Sequence, residues 1–351
     1  MLKHKKPLYC TANGKAFVGD SLELMKKIDS SSIDLVLTSP PFALQRKKNY
    51  GNVEETEYTQ WILPFGKEVF RILKDTGSFV LDLGGAYQSK IPSRSLYNFR
   101  VLLAMCDEVG FKLAEDFYWH NPSKLPSPIE WVNKQKIRAK DSVNTVWWFS
   151  KTSFPKADVR NVLTPYSDRM KKLLQNPQSF YKPKKRPSGH DISENFGKDN
   201  GGAIPSNLLS IPHSESNTSY QRACKELNLT CHPARFPSEL PAFFIKMLTE
   251  EGDCVVDIFA GSNTTGHVSE TLGRKWISID NNHDYLVASI FRFIEIESIE
   301  HPAKIIRLLQ DPRAGHYIKT SDNLFDKIAS SNKSFSEKIT EQSHQKTFRL
   351  V

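Results

Sequence analysis

The sequence predicts an α/β fold: a doubly wound, mostly parallel sheet that carries an irregular insert. Two observations predict the sheet. Apolar runs of buried-strand length alternate with helix-period segments over residues 1–150, and the same alternation resumes after Phe236. A third marks the insert. Over residues 150–229 Pro, Asn, Ser and Lys rise, periodicity weakens and Gly201-Gly202 interrupts, in a stretch too long for a simple loop. It reads as a separate, irregular domain.

Each element has its own signal. Ala16-Phe17-Val18 reads as a short strand, and Asp20-Ser21 can cap a helix over residues 22–28. Residues 33–37 are a continuous apolar run stopped by Pro40-Pro41. Trp61, Phe65, Val69 and Leu73 fall on one face of a helix over 56–73. A second buried strand, 77–81, closes at Gly84-Gly85; a helix over 97–108 and strands over 111–119 and 143–149 complete this half. Beyond the insert come a helix over 240–249, a strand over 254–257, a glycine turn, a helix and a strand over 276–279. The division expected is 1–150 and 230–300 as two halves of one domain, 151–229 as the insert, and 301–351 as a polar tail.

Composition narrows the class. With 351 residues, 39% hydrophobic and 25% charged, the chain is globular rather than disordered or fibrous. No apolar run approaches the ~20 residues of a membrane span, and the N-terminal residues lead into no signal-type segment, so a soluble, cytoplasmic protein is expected. Five scattered cysteines without a C-x-x-C pair argue against a disulfide framework and against a standard zinc site, and no metal is expected. The formal charge is +9, and residues 120–200 hold 16 Lys/Arg against 7 Asp/Glu, which accounts for all of it. Lys134, Lys136, Arg138, Lys140, Lys182, Lys184, Lys185 and Arg186 lie there with Trp131, Trp147, Trp148, Phe180 and Tyr181 among them. A localised basic excess is the footprint of a polyphosphate partner.

Two constellations carry chemistry. Asp257-Ile258-Phe259-Ala260-Gly261-Ser262-Asn263-Thr264-Thr265-Gly266 stands between a buried strand and a helix, where glycines let the backbone approach a ligand at the helix N-terminus. Asp280 ends the next strand, 23 residues after Asp257, where a carboxylate can accept both hydroxyls of a ribose. The turn is neither GxGxxG nor a P-loop, because Asn263 fills a usual glycine position and no Lys follows the second glycine. It points to a nucleoside-containing cofactor. The second constellation, Thr38-Ser39-Pro40-Pro41-Phe42, lies at the C-terminal end of its strand, the end at which open α/β sheets bind ligands. Two prolines remove N–H donors and leave rigid carbonyl acceptors, Ser39 adds a hydroxyl, and Phe42 adds a flat plate. That set suits a planar ring bearing an exocyclic amine.

Together these motifs resemble the permuted, beta-type group of S-adenosylmethionine-dependent amino-DNA methyltransferases, in which the catalytic motif comes first, then the target-recognition region, then the cofactor turn. TSPPFALQRKK, LPSPIEWVNK, NTVWWFSK, HPARFP and DIFAGSNTTG carry the resemblance, which covers roughly residues 17–293. It implies the permuted methyltransferase fold, S-adenosylmethionine as cofactor and double-stranded DNA as substrate. The serine that opens the catalytic motif implies cytosine-N4 rather than adenine-N6 chemistry. Within the cytosine-N4 branch the similarity implies the palindrome 5′-CAGCTG with its inner cytosine modified and a cognate restriction endonuclease; a monomer is expected.

The resemblance also implies roles. Asp257, Phe259 and Gly261 line the methionine and sulfonium part of the cofactor, with Asn263 and Thr264 in the same turn; Asp280 holds the ribose and Asp20 reaches the adenine. His232 and Arg235 lie near the methionine end. Each has an ordinary alternative: Asp20 as a helix cap, Arg235 paired with an acid, His232 as a bonded loop residue. At the catalytic end, Ser39 and the Pro40 carbonyl accept the amine hydrogens, with Pro41 stiffening the turn, and Phe42 and Trp119 are candidates to sandwich a flipped base. Asp82, ending the strand next in sequence, either orients Ser39 or meets the base edge. The competing readings are an adenine-N6 enzyme of the same architecture, a DNA-binding relative that has lost catalysis, and a small-molecule methyltransferase. The chain contains no Pro-Cys dipeptide, which disfavours ring-carbon methylation through a cysteine adduct.

Overall fold

The computed structural model describes residues 5–43, 54, 56–176, 187, 197–213, 218–294, 306–307, 309 and 316–317. Phe180, Tyr181, the basic run Lys182, Lys184, Lys185 and Arg186, and most of the 301–351 tail lie outside the described residues.

Strand β3 (Ile33–Thr38) shows how the layers form, since every one of its residues is buried. Its side chains alternate between faces, as the strand period requires. Val36 joins a core of Phe17, Met25, Ile62, Val69, Phe79 and Trp147, while Leu35 and Leu37 join another of Val80, Phe117, Val146, Phe244 and Val268. Burial on both faces is why the strand reads as a continuous apolar run rather than an alternating one. The first core is covered by α1 (Ser21–Met25), α2 (Tyr58–Ile72) and α3 (Tyr97–Ala104). The second is covered by α6 (Glu239–Leu248) and α7 (Thr264–Thr271).

Among the described residues ten strands form one sheet, in the order β10-β1-β2-β9-β8-β3-β4-β6-β5-β7. Beside β3 they are β1 (Tyr9–Cys10), β2 (Gly14–Val18), β4 (Leu73–Gly84), β5 (Lys112–His120), β6 (Val143–Ser150), β7 (Leu208–Ser210), β8 (Cys254–Asp257), β9 (Lys275–Asp280) and β10 (His316–Tyr317). The central five, from β2 to β4, are mutually parallel. The antiparallel members are β6, against both β4 and β5, and β1 against β2. The other α-helices among the described residues are α4 (Asp168–Gln175), α5 (Ser219–Glu226) and α8 (His283–Ser289).

The sheet reverses at its centre. From β3 the chain proceeds through α2 to β4 on one side, and from β8 through α7 to β9 on the other. Strands β3 and β8 nevertheless pair directly, Leu35 opposite Val255 and Val36 opposite Val256. The reversal opens a crevice at their C-terminal ends, the switch point at which such folds bind ligands.

Several expectations shift at their edges. The helix expected over 22–28 stops at Met25, and that over 97–108 passes from α3 into a wider π turn at Met105–Val109. Residues 151–229 are not detached from the sheet, as a separate domain would be. Strand β7 pairs in parallel with β5, Tyr118 opposite Leu208, and the Asp158 N–H donates to the Met247 carbonyl at 2.7 Å. With three residues and alternate exposure, β7 is too short to leave a periodic signal in sequence. No helix among the described residues is long and apolar enough to cross a membrane.

Candidate active site

Two turns leave the same end of adjacent strands, and a side-chain knot joins them. The Thr38 hydroxyl, ending β3, donates to the Asp257 carboxylate, ending β8, at 2.7 Å. Asp257 also accepts from the Thr265 hydroxyl at 2.6 Å and the Phe259 N–H at 3.1 Å. Burial pushes its pKa up to about 6 against those three donors. At 2% exposure it does not line the crevice. Asp257 braces the two turns against each other.

A single cavity of about 500 Å³ spans both turns, lined on one side by Ser39, Pro40, Pro41, Phe42 and Asp82 and on the other by Phe259, Thr264 and Asp280. His232 and Arg235 also line it, with Trp119. The structure thus brings ten of the fourteen predicted site residues to one cavity, and leaves Asp20, Asp257, Gly261 and Asn263 off its lining.

The side that carries Ser39 is built around Asp82, near the end of β4. Its Oδ2 accepts from the Ser39 hydroxyl at 2.9 Å and its Oδ1 accepts from the Asn144 amide at 3.1 Å. The Ser39 bond is the contact through which Asp82 can orient the hydroxyl, and the carboxylate itself also lines the cavity. Burial raises the Asp82 pKa to about 6, opposed by Ser39, Asn144 and the nearby Lys124 ammonium. At neutral pH the carboxylate is ionised and takes the only proton Ser39 has. The Ser39 oxygen then presents lone pairs alone to the cavity, which makes it an acceptor.

The prolines are held as firmly. The Tyr58 phenol donates to the Pro41 carbonyl at 2.8 Å, and burial raises its pKa well above the usual phenol value. Phe42 packs against Gly84, where a Cβ would collide with its ring. The Tyr97 phenol donates to the Gly84 carbonyl and fixes that backbone in turn. Trp119 is 7% exposed and its indole N–H donates to the Ile211 carbonyl at 2.9 Å, so it is both wall and core.

On the other side, both Asp280 oxygens accept backbone N–H groups, from Gly261 at 2.7 Å and Asn282 at 2.8 Å. Burial nonetheless raises its pKa. The carboxylate is half-buried and fixed at the cavity wall, with capacity left for further donors. Gly261 has φ +50°, the left-handed region, and a Cβ there would come within 3.0 Å of the His232 ring. The turn packs on the HPARF segment because it has no side chain at that position. Asn263, also left-handed at φ 55°, is fully buried and caps α7: its oxygen accepts from the Gly266 N–H and the Ser278 hydroxyl, and its amide donates to Tyr9. With its polar atoms occupied it shapes the turn from behind.

Asp20 caps α1, accepting the Glu23 N–H at 2.9 Å, and is exposed off the cavity. It stays close to the site because the Gly19 N–H donates to the Asp280 carbonyl. The His232 ring stands edge-on to Tyr285 at 4.6 Å and its Nδ1 meets the Ala234 carbonyl. Arg235 donates to the Cys231 sulfur at 3.2 Å and to the His232 carbonyl.

Sequence reasoning missed Asn144, Trp61, Tyr285 and Lys124, all of which line the cavity. Trp61 was read only as the apolar face of its helix, yet its ring lies 5.7 Å from that of Phe259 at the cavity wall. The Asn144 role depends on antiparallel pairing of β6 with β4, which places it opposite Gly84, and no local pattern carries that register.

Comparison with known proteins agrees with this geometry. A family model described as DNA methylase matches residues 33–291. The chain is 64% identical over 291 residues to the type II methyltransferase M.PvuII of Proteus hauseri, covering 83% of this chain and 87% of that protein. It is 28% identical to the type II methyltransferase M.BamHI of Bacillus amyloliquefaciens, over 78% of this chain and 56% of that one. Among solved structures, the cytosine-N4-specific PvuII DNA methyltransferase superposes with a TM-score of 0.72 at 52% identity, covering 90% of this chain and 98% of that one. With its two motif-bearing turns meeting at the ends of paired strands and the family model spanning most of its length, this chain belongs to the DNA methylase family.

Proposed function

We propose that the chain is a site-specific DNA methyltransferase that transfers a methyl group from S-adenosylmethionine to the exocyclic N4 of a cytosine flipped out of duplex DNA. The observation that carries this is the hydrogen-bonded pair Ser39–Asp82 facing Asp280 across one cavity. The identity to a type II methyltransferase supports the same reading.

The residues present fit the cofactor. Asp280 is an anchored acceptor suited to vicinal ribose hydroxyls, and the tilted pair Trp61 and Phe259 offers π faces to a sulfonium cation. Thr264 and Asn281 add polar groups on the same wall. When bound, S-adenosylmethionine supplies an electrophilic methyl group. Asp257 and Asn263 hold the turn's shape, and Asp20 fixes the neighbouring helix.

The cytosine N4 lone pair is delocalised into the ring, so its attack requires the nitrogen to become more tetrahedral. Ser39, its proton committed to Asp82, and the Pro40 carbonyl accept the two amine hydrogens and favour the positive charge that develops. Phe42, backed by Gly84, gives the ring a flat support, with Trp119 on the same cavity wall. Bringing N4 to about 3–3.5 Å from the methyl carbon is the larger contribution, since it makes the encounter intramolecular. A base stacked in a duplex cannot enter this cavity, so transfer requires flipping.

In this reading the described basic residues Lys134, Lys136, Arg138 and Lys140 hold phosphates, and the insert reads bases. The target is the inner cytosine of 5′-CAGCTG, methylation protects the DNA from a cognate endonuclease, and the enzyme acts as a monomer. Incubating the protein with plasmid and methyl-labelled cofactor, followed by nucleoside analysis and base-resolved sequencing, tests it. N4-methylcytosine at one palindrome supports the proposal. N6-methyladenine, or no transfer by a folded protein, overturns it.

A further inference from the structure

We infer that Leu125 is the side chain that occupies the gap left in the duplex when the target cytosine leaves it; this rests on the function proposed above. The segment between β5 and β6 starts at Asn121 and closes at Ser142, joined by the Asn121 N–H to Ser142 carbonyl bond at 2.8 Å. Asn121, Lys124 and Ser142 all line the cavity. Lys124 lies near enough to Asp82 for its charge to oppose the rise in that carboxyl's pKa. The next residue, Leu125, is 81% exposed, and Ile129 beyond it is 62% exposed.

An exposed leucine alone means little, since apolar atoms make up much of any protein surface. This one sits on a braced loop. The Lys140 ammonium donates to the Pro122 and Lys124 carbonyls, the Asp141 N–H to Ser127, and the Ile137 N–H to Trp131. The loop's charge also matches nucleic acid. Glu130 is paired with Lys134 at 3.0 Å and Asp141 with Arg94 at 2.7 Å, while Lys124, Lys136, Arg138 and Lys140 remain as cations around the apolar residues. A rigid apolar point inside a cationic rim, next to the opening through which a base must pass, fits the space between two base pairs with phosphates on either side. Phe154 provides the contrast. It is 89% exposed but follows Ser150, which pairs with Ser78 toward the opposite end of the sheet.

The test uses the full-length protein and two duplexes with the same mapped target cytosine, paired with guanine in one and opposite an abasic site in the other. Leu125→Ala lowers kcat/KM about 30-fold on the paired duplex, the loss of roughly one buried aliphatic side chain. It stays within about threefold of wild type on the abasic duplex, where the base is already unpaired. Leu125→Met retains most activity on both, and Phe154→Ala leaves both unchanged. Equal losses on the two duplexes would assign Leu125 to general DNA binding and overturn the inference, as would no loss on either. Wild-type protein that methylates neither duplex overturns the parent function and the inference with it.

Discussion

Replacing Asp82 with asparagine separates what this carboxylate does for the reaction from what it costs the fold. In the folded chain Asp82 titrates at about 6, against 3.8 for a free aspartate, because burial disfavours its charged form. At about 1.4 kcal/mol per pH unit, keeping it ionised at neutral pH costs about 3 kcal/mol of stability. The sign follows from proton uptake. Between pH 3.8 and 6 the folded chain holds this proton more tightly than the unfolded one, so the cost is absent below pH 4, grows through that window and is complete above pH 6. An asparagine carries no charge and escapes it. Urea unfolding should therefore find Asp82→Asn more stable than wild type by up to about 3 kcal/mol at pH 8, with the gain gone at pH 4. Activity moves the other way. To satisfy the Asn144 amide with its oxygen, the substituted side chain must turn its own amide toward Ser39, which then points its proton into the cavity. An acceptor becomes a donor facing an amine, and single-turnover transfer should fall by about 10²–10³-fold. Wild-type transfer should likewise decline below about pH 6, as Asp82 takes up its proton. A variant that is less stable than wild type at pH 8, or that transfers at the wild-type rate, would refute this account of Asp82.

Ser39→Ala should keep duplex and cofactor binding within about twofold by titration, yet lose about 10²–10³ in transfer rate, since it removes an acceptor used most in the transition state. Asp280→Asn should weaken cofactor affinity by about tenfold or more by calorimetry and leave the saturated rate nearly unchanged, because its contacts lie away from the reacting methyl. Gly84→Ala should displace Phe42 and lower transfer while cofactor affinity holds, since the collision lies on the base side of the cavity alone; steady-state kinetics read both effects.

The legible parts of the fold were those set by local pattern. Strands β3 and β8 were readable because burial on both faces makes them continuous apolar runs, and Pro40 and Gly261 punctuate them where the turns begin. Even the pairing of residues near 39 with those near 260 followed from motif order. Illegible were features that depend on register or on a partner. The edge strand β7 has only three residues, and the exposure of Trp61 depends on which ring stands beside it. Asp257 and Asn263 stand inside a ligand-binding motif, yet their polar atoms turn inward to Thr38, Thr265, Ser278 and Tyr9. A motif identifies which residues build a turn; only the fold decides which of them face the ligand.

The most direct measurement is a crystal structure of the protein with a non-reactive S-adenosylmethionine analogue and a duplex containing the target cytosine. The account predicts an extrahelical cytosine against Phe42, N4 within hydrogen-bond reach of the Ser39 hydroxyl and Pro40 carbonyl, the Ser39–Asp82 bond retained, and the donor's methyl position about 3–3.5 Å from N4. An analogue bound away from Asp280, or a target base directed to a wall that lacks Ser39, would contradict it.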